Sequence, residues 1–507
     1  NKALELVYLW LNNKRMKTIY KFIVINLFMA HMVFAQPVTQ HPENPRYFYY
    51  KEKPLVLITS AEHYGAVINT QFDYVKYLNT LKDDGMNYTR VFCGAYVEKP
   101  GVFNIEKNTL APETGHYLAP WKRTEEESLL EGENKFDLTT WNPAYFKRLQ
   151  NFLTTAEKLD IIVEITFFSS IYTQENWQRN PFNPGNNVNN FPAIKSWEYC
   201  NLPDNKIINE IQQRLVKKII EEVNGFDNVI FEIQNEPWTD NPDEDIRLLK
   251  TLDPEPDKNR WFKYAQTASE DAMKWQGELA GVITETERDL PKKHLIAQNY
   301  VNFKHSIPYV DSNISIINLH YAWPEAVWMN YGWERPISFD ESGFDGGNDT
   351  TYLRQAWQFM LAGGAVFNNL DYSFFVGKEN GTGTNNAPGG GSPNLRRQLS
   401  YLSSFMNSFD YIKTKPDFNS VYHAPGLVWH ALSDIGNQYA ILFTGNSGSD
   451  VSLNLLAKEY SYSFISPFTG KELYKGEISK DDFNGIYVQL QFPEFDSMIA
   501  LKIVAKP

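Results

Sequence analysis

The chain has 507 residues, which is long enough for one large domain and a smaller second one. Hydrophobic residues make up 42% of it and charged residues 21%, an ordinary globular composition that argues against disorder. The net charge of -13 argues against nucleic acid as a partner, because binding to phosphates relies on Lys and Arg.

The amino terminus has the pattern of a secretory signal. Residues 16–35 begin with Met16 and two nearby lysines, continue with an apolar stretch and end in small residues. The apolar stretch is too short to span a bilayer comfortably, so no membrane span is expected in the mature chain. We expect a secreted or periplasmic protein, with residues 1–15 as translated upstream sequence.

Apolar strand-like runs alternate with helical periodicity from about residue 54, which predicts a parallel sheet of strand-helix units. The clearest helices cover residues 206–223 and 352–361, and those after the fifth and sixth strands look short or missing. Eight such units usually close into a barrel with its active site after the strand carboxyl ends. The prediction is an α/β chain with a (β/α)8 TIM barrel at residues 36–412. The eight predicted strands are residues 54–60, 86–92, 160–168, 228–234, 294–299, 314–320, 336–341 and 364–372.

Short alternating runs separated by turn residues follow a predicted helix at residues 395–409. They predict an all-β module at residues 415–507, arranged as a small sandwich packed on the barrel. The module either binds a glycan or braces the barrel, and bracing is favoured.

Metal, cofactor and serine chemistry find little support in the sequence. It has no HExxH motif, no histidines clustered at ligand spacing and no GxSxG elbow. The two cysteines, Cys93 and Cys200, form no CxxC motif, and two unpaired thiols are favoured over one bridge. We expect neither a metal nor a cofactor.

Two predicted strands end on a glutamate. Glu236 ends the fourth strand in FEIQNEP, where Glu232 and Gln234 share its face, and Glu341 ends the seventh in ISFDESGF. Polar groups on one strand face are costly in a core but useful in a site. The fourth and seventh strands of a barrel face each other, so we expect these carboxyl groups to approach to about 5 Å, as in a retaining glycosidase. Surface or ion-paired carboxylates are the less favoured alternative.

Three strand ends resemble the clan A retaining glycoside hydrolases, the group that includes the family 5 cellulases and mannanases. The resemblance covers about residues 54–410 and implies a barrel with Glu236 as acid/base and Glu341 as nucleophile. It also implies that Asn235 binds the sugar 2-hydroxyl and that His320 or Tyr321 contacts one of the glutamates. The matching residues are Asn235-Glu236-Pro237, His320-Tyr321 and Glu341-Ser342-Gly343.

Arg90 on the second strand matches the clan's frequent arginine, whose charge would keep the nucleophile ionised at neutral pH. A purely structural salt bridge is nearly as favoured. Glu62 and His63 end the first strand, where they either line the cleft or cap the loop. Trp238 and Trp323 are candidate sugar platforms, although packing is the more favoured role of each tryptophan.

The sequence departs from the clan pattern at two places. No tryptophan ends the eighth strand, where Tyr372 is a candidate substrate contact instead, and Asp340 adjoins Glu341. The first departure leaves the sugar platform open, and the second leaves open which carboxylate attacks.

The predicted function is therefore a retaining glycoside hydrolase that cleaves a β-linked polysaccharide or oligosaccharide by double displacement with two glutamates. Its partner would be a carbohydrate. The alternative is a non-catalytic carbohydrate-binding barrel. The sequence decides neither the sugar, nor endo against exo attack, nor the oligomeric state.

Overall fold

The computed structural model describes residues 36–190, 197, 200–239, 242–247, 264–445, 448–485 and 487–507. The predicted signal at residues 16–35 lies outside them. In the part of the chain that is described, no helix is long and apolar enough to cross a membrane. Cys93 and Cys200 are both buried and form no disulfide bond with each other, as expected.

Fifteen strands and eight helices precede residue 410 in the described chain. The strands are β1 (Thr39–Gln40), β2 (Phe48–Tyr50), β3 (Lys53–Leu55), β4 (Leu57–Ala61), β5 (Tyr88–Phe92), β6 (Trp121–Glu127), β7 (Asn134–Trp141), β8 (Ile162–Ser169), β9 (Val229–Asn235), β10 (Pro242–Arg247), β11 (Tyr264–Ala268), β12 (Leu295–Asn302), β13 (Ile316–His320), β14 (Ile337–Glu341) and β15 (Val366–Leu370). The helices are α1 (Tyr74–Asp83), α2 (Pro143–Lys158), α3 (Gln174–Trp177), α4 (Lys206–Val223), α5 (Glu270–Arg288), α6 (Pro324–Asn330), α7 (Asp349–Leu361) and α8 (Pro393–Met406).

The eight predicted strands form a parallel barrel, in the order β4-β15-β14-β13-β12-β9-β8-β5. The side chain of Asn87 bridges the seam between β4 and β5. Its Nδ2 donates to the carbonyl of Val56 at 2.8 Å, and its Oδ1 accepts from the amide of Ile58 at 2.9 Å. The predicted TIM barrel is confirmed.

The helices follow the predicted periodicity. α4 has the predicted bounds and buries Ile211, Leu215 and Ile219 on one face, as a 3.6-residue period requires. α7 begins three residues before the predicted start, because the side chain of Asn348 accepts from the amide of Thr350 and caps it. The stretch between β12 and β13 has no helix, and α6 after β13 has only 7 residues. The expectation of short or missing helices there is confirmed.

Several elements were not predicted. β1, β2 and β3 form a small antiparallel sheet before the barrel. The loop after β5 contains the antiparallel β6–β7 hairpin, and β10 pairs with β11 after β9. The β6 sequence WKRTEEE is mostly polar and half-exposed, so it lacks the alternation by which a strand is recognised.

The last part of the chain is all β, as predicted. A six-stranded sheet, β16-β18-β19-β24-β21-β22, and a three-stranded sheet, β17-β20-β23, share one apolar cluster and form a sandwich. The prediction missed four of these strands, β16, β17, β21 and β22. The strands are β16 (Lys415–Pro416), β17 (Val421–His423), β18 (Val428–Asp434), β19 (Gln438–Thr444), β20 (Asp450–Asn454), β21 (Tyr460–Ile465), β22 (Glu472–Ile478), β23 (Tyr487–Gln491) and β24 (Met498–Ala505).

The sandwich contacts the barrel through alternate residues of its central strands. Leu442 and Ala500 belong to the apolar core of the barrel, whereas Ile441 and Leu501 belong to the core of the sandwich. This is the two-residue period of a strand packed on both faces. On the barrel side, Trp328 of α6 stacks on a ring of β18. These contacts favour the bracing role.

Candidate active site

The two predicted glutamates meet at the carboxyl ends of β9 and β14. One carboxylate oxygen of Glu236, one of Glu341 and one ring nitrogen of His320 lie within 4.8 Å of one another. The side chain of Glu236 is 10% exposed and that of Glu341 is 6% exposed, and both line a cavity of about 290 Å³. The carboxyl groups are therefore close together and open to a ligand.

Glu236 is held by two hydrogen bonds. Its Oε1 lies 2.9 Å from Nδ1 of His320, and its Oε2 accepts from the hydroxyl of Tyr172 at 2.8 Å. Trp238 lies on the cavity wall nearby, with the edge of its ring toward His320 at a centroid distance of 5.5 Å.

Glu341 is held by two phenols and a guanidinium. Tyr321 donates to its Oε1 at 2.7 Å, Tyr64 donates to its Oε2 at 2.8 Å, and Arg90 approaches Oε2 at 3.4 Å. Burial raises the pKa of Glu341, and the charge of Glu236 adds to this, while His320 and Arg90 lower it without cancelling the increase. Arg90 lowers the pKa of Glu341, which is the expected direction, but by less than burial raises it.

His320 lies between the two carboxylates. Its Nδ1 is also 3.6 Å from Oε1 of Glu341, and its Nε2 is 3.4 Å from Asp340. Burial alone would lower the pKa of His320, but the charges of Glu341 and Asp340 outweigh it and raise the pKa well above the usual value. A protonated imidazole has no free lone pair, so Glu236, His320 and Glu341 would suit a metal ion only after His320 lost its proton.

Arg90 is fully buried beneath the cavity. It pairs with Glu232, donates to Oδ1 of Asn235 at 2.8 Å and lies 3.5 Å from Asp340. Arg90 thus has both of the roles that the sequence left open, since it belongs to an interior ion-pair cluster and also contacts Glu341. Asp340 belongs to that cluster and does not line the cavity, which favours Glu341 as the reactive carboxylate.

The backbone is strained where it delivers these side chains. Tyr64, Glu236 and Tyr321 have left-handed φ angles of 58°, 51° and 52°. Such conformations cost about 1–3 kcal/mol each for residues other than glycine and concentrate at functional sites. A register shift between Leu319 and His320 also sets His320 opposite Glu341, as bulges beside active sites commonly do.

Four of the nine predicted substrate contacts line the cavity, namely His63, Asn235, Trp238 and Tyr321. Arg90 and His320 do not line it, but they contact the glutamates that do.

The other three predicted contacts have different positions. Glu62 is fully buried and accepts from the amides of Gly65 and Ala66 at 3.1 and 3.0 Å, so it caps its loop and does not line the cleft. Tyr372 is buried and makes an edge contact with His63, with ring centroids 6.0 Å apart. Trp323 lines a neighbouring cavity of about 230 Å³.

Three residues of the site were not predicted. Tyr64 and Tyr172 bind the two glutamates, and Glu98 lines the cavity as a third carboxyl group. Tyr64 is next to His63, so its position at a strand end was an available signal. Tyr172 and Glu98 come from loops and have no periodic pattern that would mark them.

No family model matches the chain, and no curated protein matches it either. Solved structures do match. A Bacteroides vulgatus protein described provisionally as a glycoside hydrolase superposes with a TM-score of 0.63 at 12% identity, covering 93% of this chain and 83% of that one. A family 5 glycoside hydrolase from the same organism gives 0.56 at 12% identity, covering 92% and 94%. A third structure, a glycoside hydrolase, gives 0.57 at 12%, covering 93% and 97%.

The chain has the fold of glycoside hydrolase structures. This is the fold that the resemblance to clan A implied, and it is confirmed. At 12% identity the likeness concerns the fold, so the chemistry of the site rests on its own geometry.

The loop cap at Glu62 predicts a pH-dependent stability. Burial raises the pKa of Glu62 to about 7, against hydrogen bonds from Thr109, Ala66 and Gly65 that lower it. The pKa of Glu62 is higher in the folded state than in the unfolded state. The protonated side chain therefore contributes stability that is fully present below pH 4.5 or so and is lost as the pH rises through about 7. We expect the free energy of unfolding of the wild type to fall by about 3 kcal/mol between pH 4 and pH 8 because of Glu62. Glu62→Gln should abolish this fall, as measured by urea unfolding at the two pH values.

Glu106→Gln, on an exposed residue, is the matched control and should keep the wild-type dependence on pH. Equal slopes for wild type and Glu62→Gln would contradict the assignment of a buried, pKa-shifted carboxyl.

Proposed function

We propose that the protein is a retaining glycoside hydrolase that cleaves a β-linked polysaccharide or oligosaccharide. The observation that carries the proposal is the approach of Glu236 and Glu341 within 4.8 Å on the wall of one cavity. Retaining enzymes place their carboxyl groups about 5 Å apart, whereas inverting enzymes leave about 6.5–9.5 Å for a water molecule.

In the first step, a carboxylate oxygen of Glu341 attacks the anomeric carbon while Glu236 protonates the leaving glycosidic oxygen. The bond from that carbon to the leaving oxygen breaks, and a glycosyl ester on Glu341 forms. In the second step, Glu236 takes a proton from water, whose oxygen attacks the same carbon and releases Glu341. Two inversions at one carbon retain its configuration.

The surrounding side chains hold the nucleophile ready. Tyr64 and Tyr321 each donate to one oxygen of Glu341, so the carboxylate is oriented before the sugar arrives. His320, whose pKa is raised, contacts both glutamates and stabilises their negative charge. When Glu341 becomes an ester its charge is lost, which favours deprotonation of Glu236 for the second step.

Asn235 remains our proposed ligand for the sugar 2-hydroxyl. Its Oδ1 accepts from Arg90, and its Nδ2 donates to the hydroxyl of Tyr172 at 2.7 Å, so the amide is fixed at the cavity wall. A sugar hydroxyl would take the place of Tyr172 as the partner of Nδ2.

Replacing the nucleophile gives a diagnostic reaction. Glu341→Gly leaves room for a small anion, so added azide should attack the anomeric carbon of an activated aryl β-glycoside and give a glycosyl azide of inverted configuration, identified by NMR. Asp340→Gly, the change at the neighbouring carboxylate, should give no azide product. Undiminished hydrolysis by Glu341→Gly would refute the assignment.

Loss of the acid distinguishes catalysis from sugar binding alone. On a panel of β-glucans, mannans and aryl glycosides, Glu236→Gln should lower kcat by at least about 100-fold, because general acid catalysis contributes about 10²–10⁴-fold. The loss should be smallest for aryl glycosides, whose leaving groups need little protonation. Binding without turnover by the wild type across the whole panel would instead indicate the non-catalytic barrel.

The pH profile tests the state of Glu341. Attack requires the ionised carboxylate, and its pKa is raised by burial, so kcat/KM should fall on the acid side at a pH above the ordinary glutamate value of about 4.3. Arg90→Met removes a neighbouring positive charge and should move this limb to still higher pH. Arg288→Met, on an exposed arginine, should leave the limb unchanged. A limb at or below 4.3 or so in the wild type would contradict this.

We also propose that the protein is exported, on the sequence of residues 16–35 alone. Export would bring the enzyme to polymeric glycans outside the cytoplasm.

A further inference from the structure

A third carboxyl group, that of Glu98, lies on the wall of the catalytic cavity. The residue is 3% exposed. The hydroxyl of Tyr96 donates to its Oε1 at 3.2 Å, and Nδ2 of Asn108 donates to its Oε2 at 3.0 Å. Its backbone amide donates to the carbonyl of Leu110 at 2.9 Å. Glu98 is therefore fixed in position and not a mobile surface group.

His63 stands beside Glu98 on the same wall. Its Nε2 lies 3.8 Å from Oε1 of Glu98, and the residue is only 7% exposed. Its Nδ1 has no hydrogen-bond partner in the described part of the chain, and neither does Oδ1 of Asn108. A buried polar atom without a partner costs about 1–3 kcal/mol, so the unpartnered Nδ1 of His63, a residue of the cavity wall, points to a ligand that satisfies it.

The proposed bond cleavage uses neither side chain. Glu236 and Glu341 supply the acid and the nucleophile, so Glu98 and His63 have polar capacity left over. Burial raises the pKa of Glu98 to about 8, so near neutral pH this carboxyl group is mostly protonated and keeps donor and acceptor capacity beside its contacts with Tyr96 and Asn108. Burial lowers the pKa of His63 to about 3, so its ring is neutral and has one donor and one acceptor nitrogen. This combination matches hydroxyl groups, which both donate and accept.

We propose that Glu98 and His63 bind hydroxyl groups of the sugar ring whose anomeric carbon faces Glu341, and that they thereby select the sugar. The inference rests on the proposed function and adds a specificity element to it. The ring hydroxyls in question are those remote from the anomeric carbon, at C3, C4 or C6, because the 2-hydroxyl is assigned to Asn235.

The experiment couples single hydroxyls to single side chains. Wild type, Glu98→Met and His63→Phe are assayed on the aryl β-glycoside that the panel identifies and on its 3-, 4- and 6-deoxy forms. Removing the recognised hydroxyl should lower kcat/KM of the wild type by about 5- to 100-fold, the effect of leaving a buried polar group without its partner. In Glu98→Met the parent substrate should show that loss, and removing the same hydroxyl should cost little more.

A merely structural role would lower activity on every substrate equally and would give no such coupling. Glu131→Gln is the matched control, since Glu131 is exposed and lines a separate cavity of about 620 Å³ on the other side of Glu98. This variant should match the wild type on all four substrates. Full sensitivity to every hydroxyl in both Glu98→Met and His63→Phe would overturn the proposal.

Titration calorimetry with methyl β-glycosides and their deoxy forms repeats the cycle without turnover. Coupled binding that depends on Glu98, together with an absence of hydrolysis, would refute the proposed catalytic function and leave this inference standing. Hydrolysis without any coupling would refute this inference and leave the catalytic function standing. Binding that is insensitive to Glu98→Met would also refute this inference.

Discussion

The structure depends on one buried cation. Arg90 lies in the barrel interior within ion-pair distance of Glu164, Glu232, Asp340 and Glu341. Buried carboxylates are tolerated only when they are paired, and removing one partner of such a cluster typically costs about 3–5 kcal/mol. One arginine does not balance four acids. Burial and the neighbouring charges of Glu232 and Asp340 raise the pKa of Glu164 well above its usual value, which favours the neutral form of this side chain.

This cluster connects the fold to the chemistry. Two residues connect the buried charges to the cavity. Arg90 contacts Glu341, and His320 contacts Asp340 on one side and the two glutamates on the other. The pKa of Glu341 is therefore lowered by His320 and Arg90, two residues that do not line the cavity. Glu236 and Tyr321 have left-handed backbones next to this buried cluster. Such strained conformations persist where the surrounding contacts hold them in place.

Most of the barrel and the two central glutamates could be predicted. The apolar strands have a simple period, and the glutamates stand at their carboxyl ends. Glu236 and Glu341 were marked by that period, and the resemblance to a known clan added His320 and Tyr321. The role of Glu62 could not be predicted, because its side-chain direction is set by the turn that follows, where Tyr64 is left-handed. Glu98 comes from an irregular loop, held in place by Asn108 and Leu110, ten and twelve residues later in the chain. β22 was missed because it is a largely polar and exposed edge strand, whereas the alternation of YSYSFI in β21 was an available signal.

The alternate packing of β19 and β24 has a consequence for the architecture. Leu442 and Ala500 fill the barrel's core while Ile441 and Leu501 fill that of the sandwich, so one sheet serves two interiors. Separating the sandwich from the barrel would expose an apolar sheet face on the sandwich and the apolar surface of the barrel that packs against it. In the sequence the sandwich looks like a separable module that follows the barrel. Exchanging it between proteins would nevertheless be costly, because the barrel and the sandwich each complete the apolar core of the other.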